Sequence, residues 1–362
     1  MNKEVISDKQ GISMMVMFII GTAVIMARGL DAKKDLWMAI LVAFVTALPL
    51  VYLYAYLHEQ FPGKNLYDMI EISFGKYIGK IIILLYTWYF FHTAVLVALN
   101  YLYFVFVTAL AETPRIMVMI FMMLLCIFII KAGIEVIGRW AEFFVLILAS
   151  FIFLLLLFVI KEMDINHLRP FYYGGIKPIL KGAYSVFVFP CSQVVAFTAA
   201  FSHFKTKKSS YHIYLRGLVI GVTLILIISI GNIMVLGVYT ASNMYYPSHG
   251  SAMRIIIGDL FQRLEIILAT AFSFGAFIKI SIFFLAACKG MTKAFGIKDY
   301  RIIVIPIGAL MINLSYFLHS GVMDYFEFIL EVWLYYAFPF HIFFPICLLI
   351  VYKMKGRRRG NI

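Results

Sequence analysis

The feature that most constrains this chain is a succession of ten apolar runs, each near the length at which a helix crosses a lipid bilayer. A helical crossing needs about 20 apolar residues. The runs lie at approximately 12 to 28, 36 to 57, 81 to 110, 115 to 131, 136 to 160, 182 to 201, 215 to 238, 264 to 288, 302 to 319 and 326 to 352. Hydrophobic residues make up 64% of 362, more than the interior of a soluble globule holds. The expected fold is therefore all-α and membrane-embedded. A single transmembrane domain covers residues 1–352, and a basic tail follows at 353–362. The start, MNKEVISDKQ, is polar, and the first run lacks a small-residue cleavage site. That run reads as a retained helix.

The formal charge is +13, yet the basic residues punctuate the apolar runs and do not gather on a soluble domain. Their partner is the membrane surface and its lipid, not nucleic acid. Counted in alternate loops, Lys and Arg number 20 in the set holding both termini and 10 in the other, with Lys279 completing the 31. The positive-inside rule places both termini in the cytosol. No GxxxxGK[ST], GxSxG or HExxH motif occurs, and the eight His and four Cys are scattered without ligand spacing. Neither an enzyme nor a cofactor or metal site is expected.

Two runs carry helix breakers near mid-span. The first, FIIGTAVIMARG, holds Gly21, Thr22 and Ala23; the sixth, VFVFPCSQVVAF, follows Val186 with Phe189, Pro190, Cys191, Ser192 and Gln193. Proline removes a helix hydrogen bond, and glycine costs about 1 kcal/mol in a helix. Unwound backbone at membrane depth is tolerated only where it lines a protein cavity. Runs one and six open two halves of five, about 12–160 and 182–352, and interruptions at matching positions point to a transporter-type site in an inverted repeat. Helix ends offer N–H groups to a carboxylate and C=O groups to an ammonium, which suits a zwitterionic amino acid. His92, Leu96 and Asn100 step by four along the third run, and Phe272 and Gly275 stand in the eighth. They complete the expected ligand walls.

The stretches DLW (35–37), FPGKNLYDMIEISFGKYIGK (61–80), GIEVIGRWAEFF (133–144), RPFYYGGIKPILKGAYS (169–185), FQRLEIILA (261–269) and FIKIS (277–281) resemble the B subunit of bacterial spore nutrient-germinant receptors, the endospore germination permeases. The resemblance runs from about residue 6 to 350. It implies an amino acid/polyamine/organocation-type (LeuT-like) fold, a place in the spore inner membrane, and assembly with an A subunit and a lipoprotein C subunit. The sequence departs from that family at Phe189-Pro190-Cys191, where glycine is frequent, and at Phe272, where tryptophan is common. The identity of the ligand does not carry over.

Lys279 stands alone in AFSFGAFIKISIFFLAAC, and a lysine at the bilayer centre costs roughly 2.5 to 3.5 kcal/mol. Counting about 1.5 Å per residue from Ile266 sets it about 20 Å down an about 30 Å core. By the same count Glu142 lies about 9 Å above the inner edge of the fifth run, which makes it the expected partner. The resemblance implies that the fifth and eighth helices border an inner-half sodium site beside the first, so Lys279 with Glu142 reads as a built-in substitute for that cation. Two plainer readings stay open at this point. Glu142 can pair with Arg139 on its own helix face, and Lys279 can extend along its stem toward water. Two function classes follow: a receptor subunit that binds a small nutrient and signals germination, or a secondary transporter moving an amino acid by alternating access. The resemblance favours the receptor.

Overall fold

In the computed structural model, residues 4–109, 112–206, 208–254 and 265–359 are described. The run limits at 110 and 264, part of the 261–269 stretch and the last three residues of the tail lie outside them. Ten helices follow the ten runs: α1 (Asp8–Ala23), α2 (Leu36–Gln60), α3 (Lys76–Thr108), α4 (Arg115–Ala132), α5 (Ile134–Val159), α6 (Ile176–Ala200), α7 (Ser209–Ser242), α8 (Glu265–Phe295), α9 (Val304–Phe317) and α10 (Val322–Lys355). Helices arise here because apolar side chains face lipid or neighbours while each segment satisfies its own backbone. Eight of the ten regions are long and apolar enough to cross a membrane; α1 and α9 are shorter, at 16 and 14 residues. The chain is an integral membrane protein.

The packing pairs carry the internal repeat. α1 packs on α7 while α6 packs on α2, and α4 packs on α8 while α9 packs on α3. Each pair turns into the other when helix n is exchanged with helix n+5. α2 against α7 and α3 against α8 map onto themselves. A two-fold relation between the halves produces this pattern, as in an inverted repeat.

At one end, the segment before α1 is tied to the ends of α6 and α8. Ser7 caps α1, accepting from Gln10 N at 3.2 Å while Gln10 Oε1 accepts from Ser7 N at 3.2 Å. Val5 and Ile6 pair in parallel with His203 and Phe204 just beyond α6. Glu4 accepts from Tyr300 Oη at 2.8 Å and Arg301 Nη2 at 3.2 Å, with Lys289 Nζ at 3.7 Å. Lys289 also donates to the carbonyl of Ala200 at 2.6 Å. A lone exposed ion pair contributes about 0–1 kcal/mol; here strand pairing and a shared carboxylate act together to hold the three segments to one another.

Candidate functional site

α1 and α6 are both interrupted, though by different means. α1 stays helical through Gly21, Thr22 and Ala23 and unwinds from Val24, so the break lies a few residues beyond the glycine that pointed to it. Val24, Ile25, Met26 and Arg28 remain buried outside any helix. Gly29 turns the chain with φ +83°, and its carbonyl packs so tightly on α6 that a Cβ on Gly182 would stand 2.6 Å away. Gly21 is the contact that seats α1 on α8. A Cβ on Gly21 would meet the Gly275 carbonyl at 2.7 Å, and one on Gly275 would meet Gly21 Cα at 2.6 Å. In α6, Pro190 falls where the sequence places the break. Phe189 leaves the helical region at φ −138°, ψ 115°, with a wide turn over Phe187–Cys191 and a tight one over Ser192–Val195.

Between the breaks lies a small cavity of about 20 Å³, room for about one water molecule. Of the residues expected at the ligand walls, it brings together Thr22, Leu96, Asn100, Phe189 and Gln193. Arg28 joins them, with Met26 and Thr93 beside it and Tyr325, Ile329 and Trp333 supplied by α10. Ala23, Val186, Pro190 and Cys191 are buried behind this surface. His92 stacks on Trp88, ring centroids 5.7 Å apart, and faces Tyr336 of α10 at 5.4 Å. Phe272 packs edge-on against Phe104 at 5.0 Å. Neither ring is among the cavity's lining residues.

Lys279 is fully buried, at 0% exposure. Its Nζ donates to Thr22 Oγ1 at 3.1 Å and lies 4.4 Å from the ring centre of Phe189 and 5.0 Å from that of Phe18. Glu142 is half-buried on α5, and among the described residues it forms no ion pair with Lys279. The expected carboxylate is thus replaced by three weaker supports. The rings of Phe18 and Phe189 flank Nζ, and Thr22 sits in the last turn of α1, where the helix dipole is negative. Counting residues along the helix carries no information about which face Lys279 presents to α5.

Two functional candidates are absent from the sequence reading. Arg28 was counted as a loop charge because it ends the first apolar run; it is 6% exposed, with its guanidinium carbon 4.7 Å from the centre of the Phe189 ring. The available signal was its place between a helix breaker and Gly29, where unwound backbone lines a cavity. His341 of α10 is fully buried and clamps the α6 break. Its Nδ1 meets Ser192 Oγ at 2.7 Å and its Nε2 meets Tyr89 Oη at 2.5 Å. Its carbonyl, freed by a wide turn at Pro339–Phe343, accepts from Tyr54 Oη at 2.6 Å. That histidine follows aromatic FPF in the sequence, with nothing in its spacing to mark it.

Comparison with known proteins settles what kind of chain carries this site. The spore permease family model, described as spore germination protein, matches residues 5–323. The chain belongs to this spore germination family. Spore germination protein KB of Bacillus subtilis (strain 168) is 27% identical, with 99% of this chain and 97% of the relative aligned. Spore germination protein A2 of the same organism is 26% identical over 82% of each, and spore germination protein XB of Bacillus anthracis 24% identical over 73% and 74%. Among solved structures, MhsT in complex with L-phenylalanine aligns with TM-score 0.66 at 14% identity, covering 97% of this chain and 99% of that one. A Na+-coupled sialic acid symporter aligns at 0.64 and 13%, covering 90% and 79%. The nucleobase-cation-symport-1 family transporter MHP1 aligns at 0.61 and 13%, covering 91% and 75%. These likenesses fix the fold as LeuT-like, two inverted repeats of five helices with α1 and α6 discontinuous. A role as germinant receptor or transporter-like membrane protein follows from the family.

Proposed function

We propose that this chain is the ligand-sensing membrane subunit of a nutrient germinant receptor, binding a small amino acid or similar nutrient between the α1 and α6 breaks. The observation that carries the proposal is the Lys279 ammonium at the end of α1. It holds Thr22 by a 3.1 Å hydrogen bond and lies against Phe189 of the α6 break, so that one internal cation joins both discontinuities. In this reading Lys279 stands where a transporter of this fold would bind a free cation, and Glu142 contributes little. Thr22, Leu96, Asn100, Phe189 and Gln193 touch the nutrient. Gly21, Gly275, Ala23, Val186, Pro190, Cys191 and Ser192 shape the breaks, while His92 and Phe272 support the walls from outside. The cavity is narrower than a typical small-molecule site of roughly 300–1,000 Å³, so the nutrient enters an opened form and closure around it is the signal. The receptor lies in the spore inner membrane with both termini cytosolic and passes that closure to the A subunit and the lipoprotein C subunit.

Deletion of the chain from spores tests the reading. The response to at least one nutrient should disappear and return on complementation; unchanged responses to every nutrient would contradict it. A second reading, secondary transport, draws on the shared fold, since MhsT was solved in complex with L-phenylalanine and the sialic acid symporter is Na+-coupled. Purified protein in liposomes should give no concentrative uptake of labelled amino acids as a receptor, and robust uptake as a transporter.

A further inference from the structure

We infer that Arg28 is the carboxylate anchor of the cavity, so that the molecule recognised is a small α-amino acid held by its carboxylate. The inference rests on reading the cavity as the nutrient site and assigns its polarity. Arg28 is buried in the unwound segment after α1 and lines the cavity. Phe189 covers the face of its guanidinium at 4.7 Å, which leaves the N–H groups in the plane of the group free to point elsewhere. Nε and Nη2 have no hydrogen-bond partner among the described residues. Those two nitrogens form one side of the guanidinium fork, the side that meets both oxygens of a carboxylate in parallel.

The neighbouring acids are engaged elsewhere. Asp31 pairs with Lys181 at 2.7 Å, and Asp35 accepts from the backbone of Tyr172 at 2.8 Å. The other buried cation, Lys279, is held by Thr22 and is not among the lining residues. One unpaired cation therefore faces the cavity. The same cavity presents two buried acceptors without partners among the described residues, Gln193 Oε1 and Asn100 Oδ1. The assignment of Asn100 is supported by its Nδ2, which donates to Met26 Sδ at 3.0 Å. A bidentate donor with two carbonyl-type acceptors is the complement of a carboxylate with an ammonium. A buried charge left unpaired is strongly unfavourable, so a carboxylate entering here gains from a group that the fold has already desolvated.

The experiment is a thermal-shift titration of the purified full chain with the twenty amino acids, and with the α-carboxamide and decarboxylated amine of each one that stabilises it. The carboxamide and the amine should bind at least about 30-fold more weakly than the acid, the loss expected for an Arg–carboxylate pair. Arg28→Gln should lose the acid by a similar factor while its unliganded melting temperature stays close to wild type, and Arg28→Lys should fall between. Binding of the carboxamide within about threefold of the acid would overturn the inference while leaving the nutrient site intact, and that arm needs no variant to fold. No stabilisation of wild type by any amino acid or amide would overturn the nutrient reading together with it.

Discussion

The two broken helices occupy equivalent places in the repeat and do different work. α1 ends abruptly with no proline; Thr22 in its last turn accepts from Lys279 Nζ of α8, and the stretch beyond it supplies Arg28 to the cavity. α6 bends through Phe189 and Pro190 yet returns to helix, and its break supplies neutral groups tied into the protein, with Ser192 bonded to His341. Phe189 is where the two meet, its ring lying 4.4 Å from Lys279 Nζ and 4.7 Å from the Arg28 guanidinium carbon. The lesson is that the repeat determines where backbone opens, while each half chooses its own chemistry there. The α1 side carries cations that need a counter-charge or an aromatic face, and the α6 side carries a braced hydrogen-bond framework.

That contrast is tested most severely at the shared ring. Phe189→Ala removes a buried aromatic side chain and uncovers both cations, so purified protein should lose about 3–5 kcal/mol of stability; a loss below about 1 kcal/mol in chemical denaturation would show that the rings are incidental. Gly21→Val comes next. Its side chain would press on the Gly275 backbone at 2.7 Å, and overpacking of this kind costs about 1–3 kcal/mol. A melting temperature equal to wild type would mean that α1 and α8 are not seated as described. On the neutral side, Ser192→Ala removes one hydrogen bond to His341 and should cost about 1 kcal/mol, with Tyr89 still holding the ring. A much larger loss would make the α6 break depend on one hydroxyl. Smallest of all, Glu142→Gln should change stability by less than about 0.5 kcal/mol, because Glu142 makes no ion pair with Lys279 among the described residues. A drop of several kcal/mol would restore the pairing that depth alone suggests.

The fold was legible in the sequence because its signals are one-dimensional. The apolar runs give the helices, the positions of Gly21 and Pro190 point to α1 and α6, and the stretches at 35–37, 61–80 and 133–144 carry the family. Pro190 marks its break directly, since proline cannot donate to the helix ladder. Gly21 marked the right helix for a different reason: it lets α1 approach α8, and the chain unwinds only after Ala23. Facing and pairing were not legible. Counting along the sequence gives Lys279 and Glu142 similar expected depths, but depth fixes one coordinate of three, and Thr22 and two phenylalanines stand beside Lys279. Arg28 was missed because a basic residue at the end of an apolar run ordinarily lies in a loop, and only the unwound path from Val24 to Gly29 folds it inward. His341 was missed because its partners Ser192 and Tyr89 lie 149 and 252 residues away in the chain.

The central claim, that a cation built into α8 braces both breaks, is tested most directly by nutrient-triggered germination of spores carrying Lys279→Ala or Lys279→Arg, with the amount of receptor in the membrane measured alongside. The account predicts that Lys279→Ala reaches the membrane and responds to no nutrient, and that Lys279→Arg, too bulky for the space between Phe18, Thr22 and Phe189, is severely impaired. Wild-type germination by both variants at normal protein levels would contradict it.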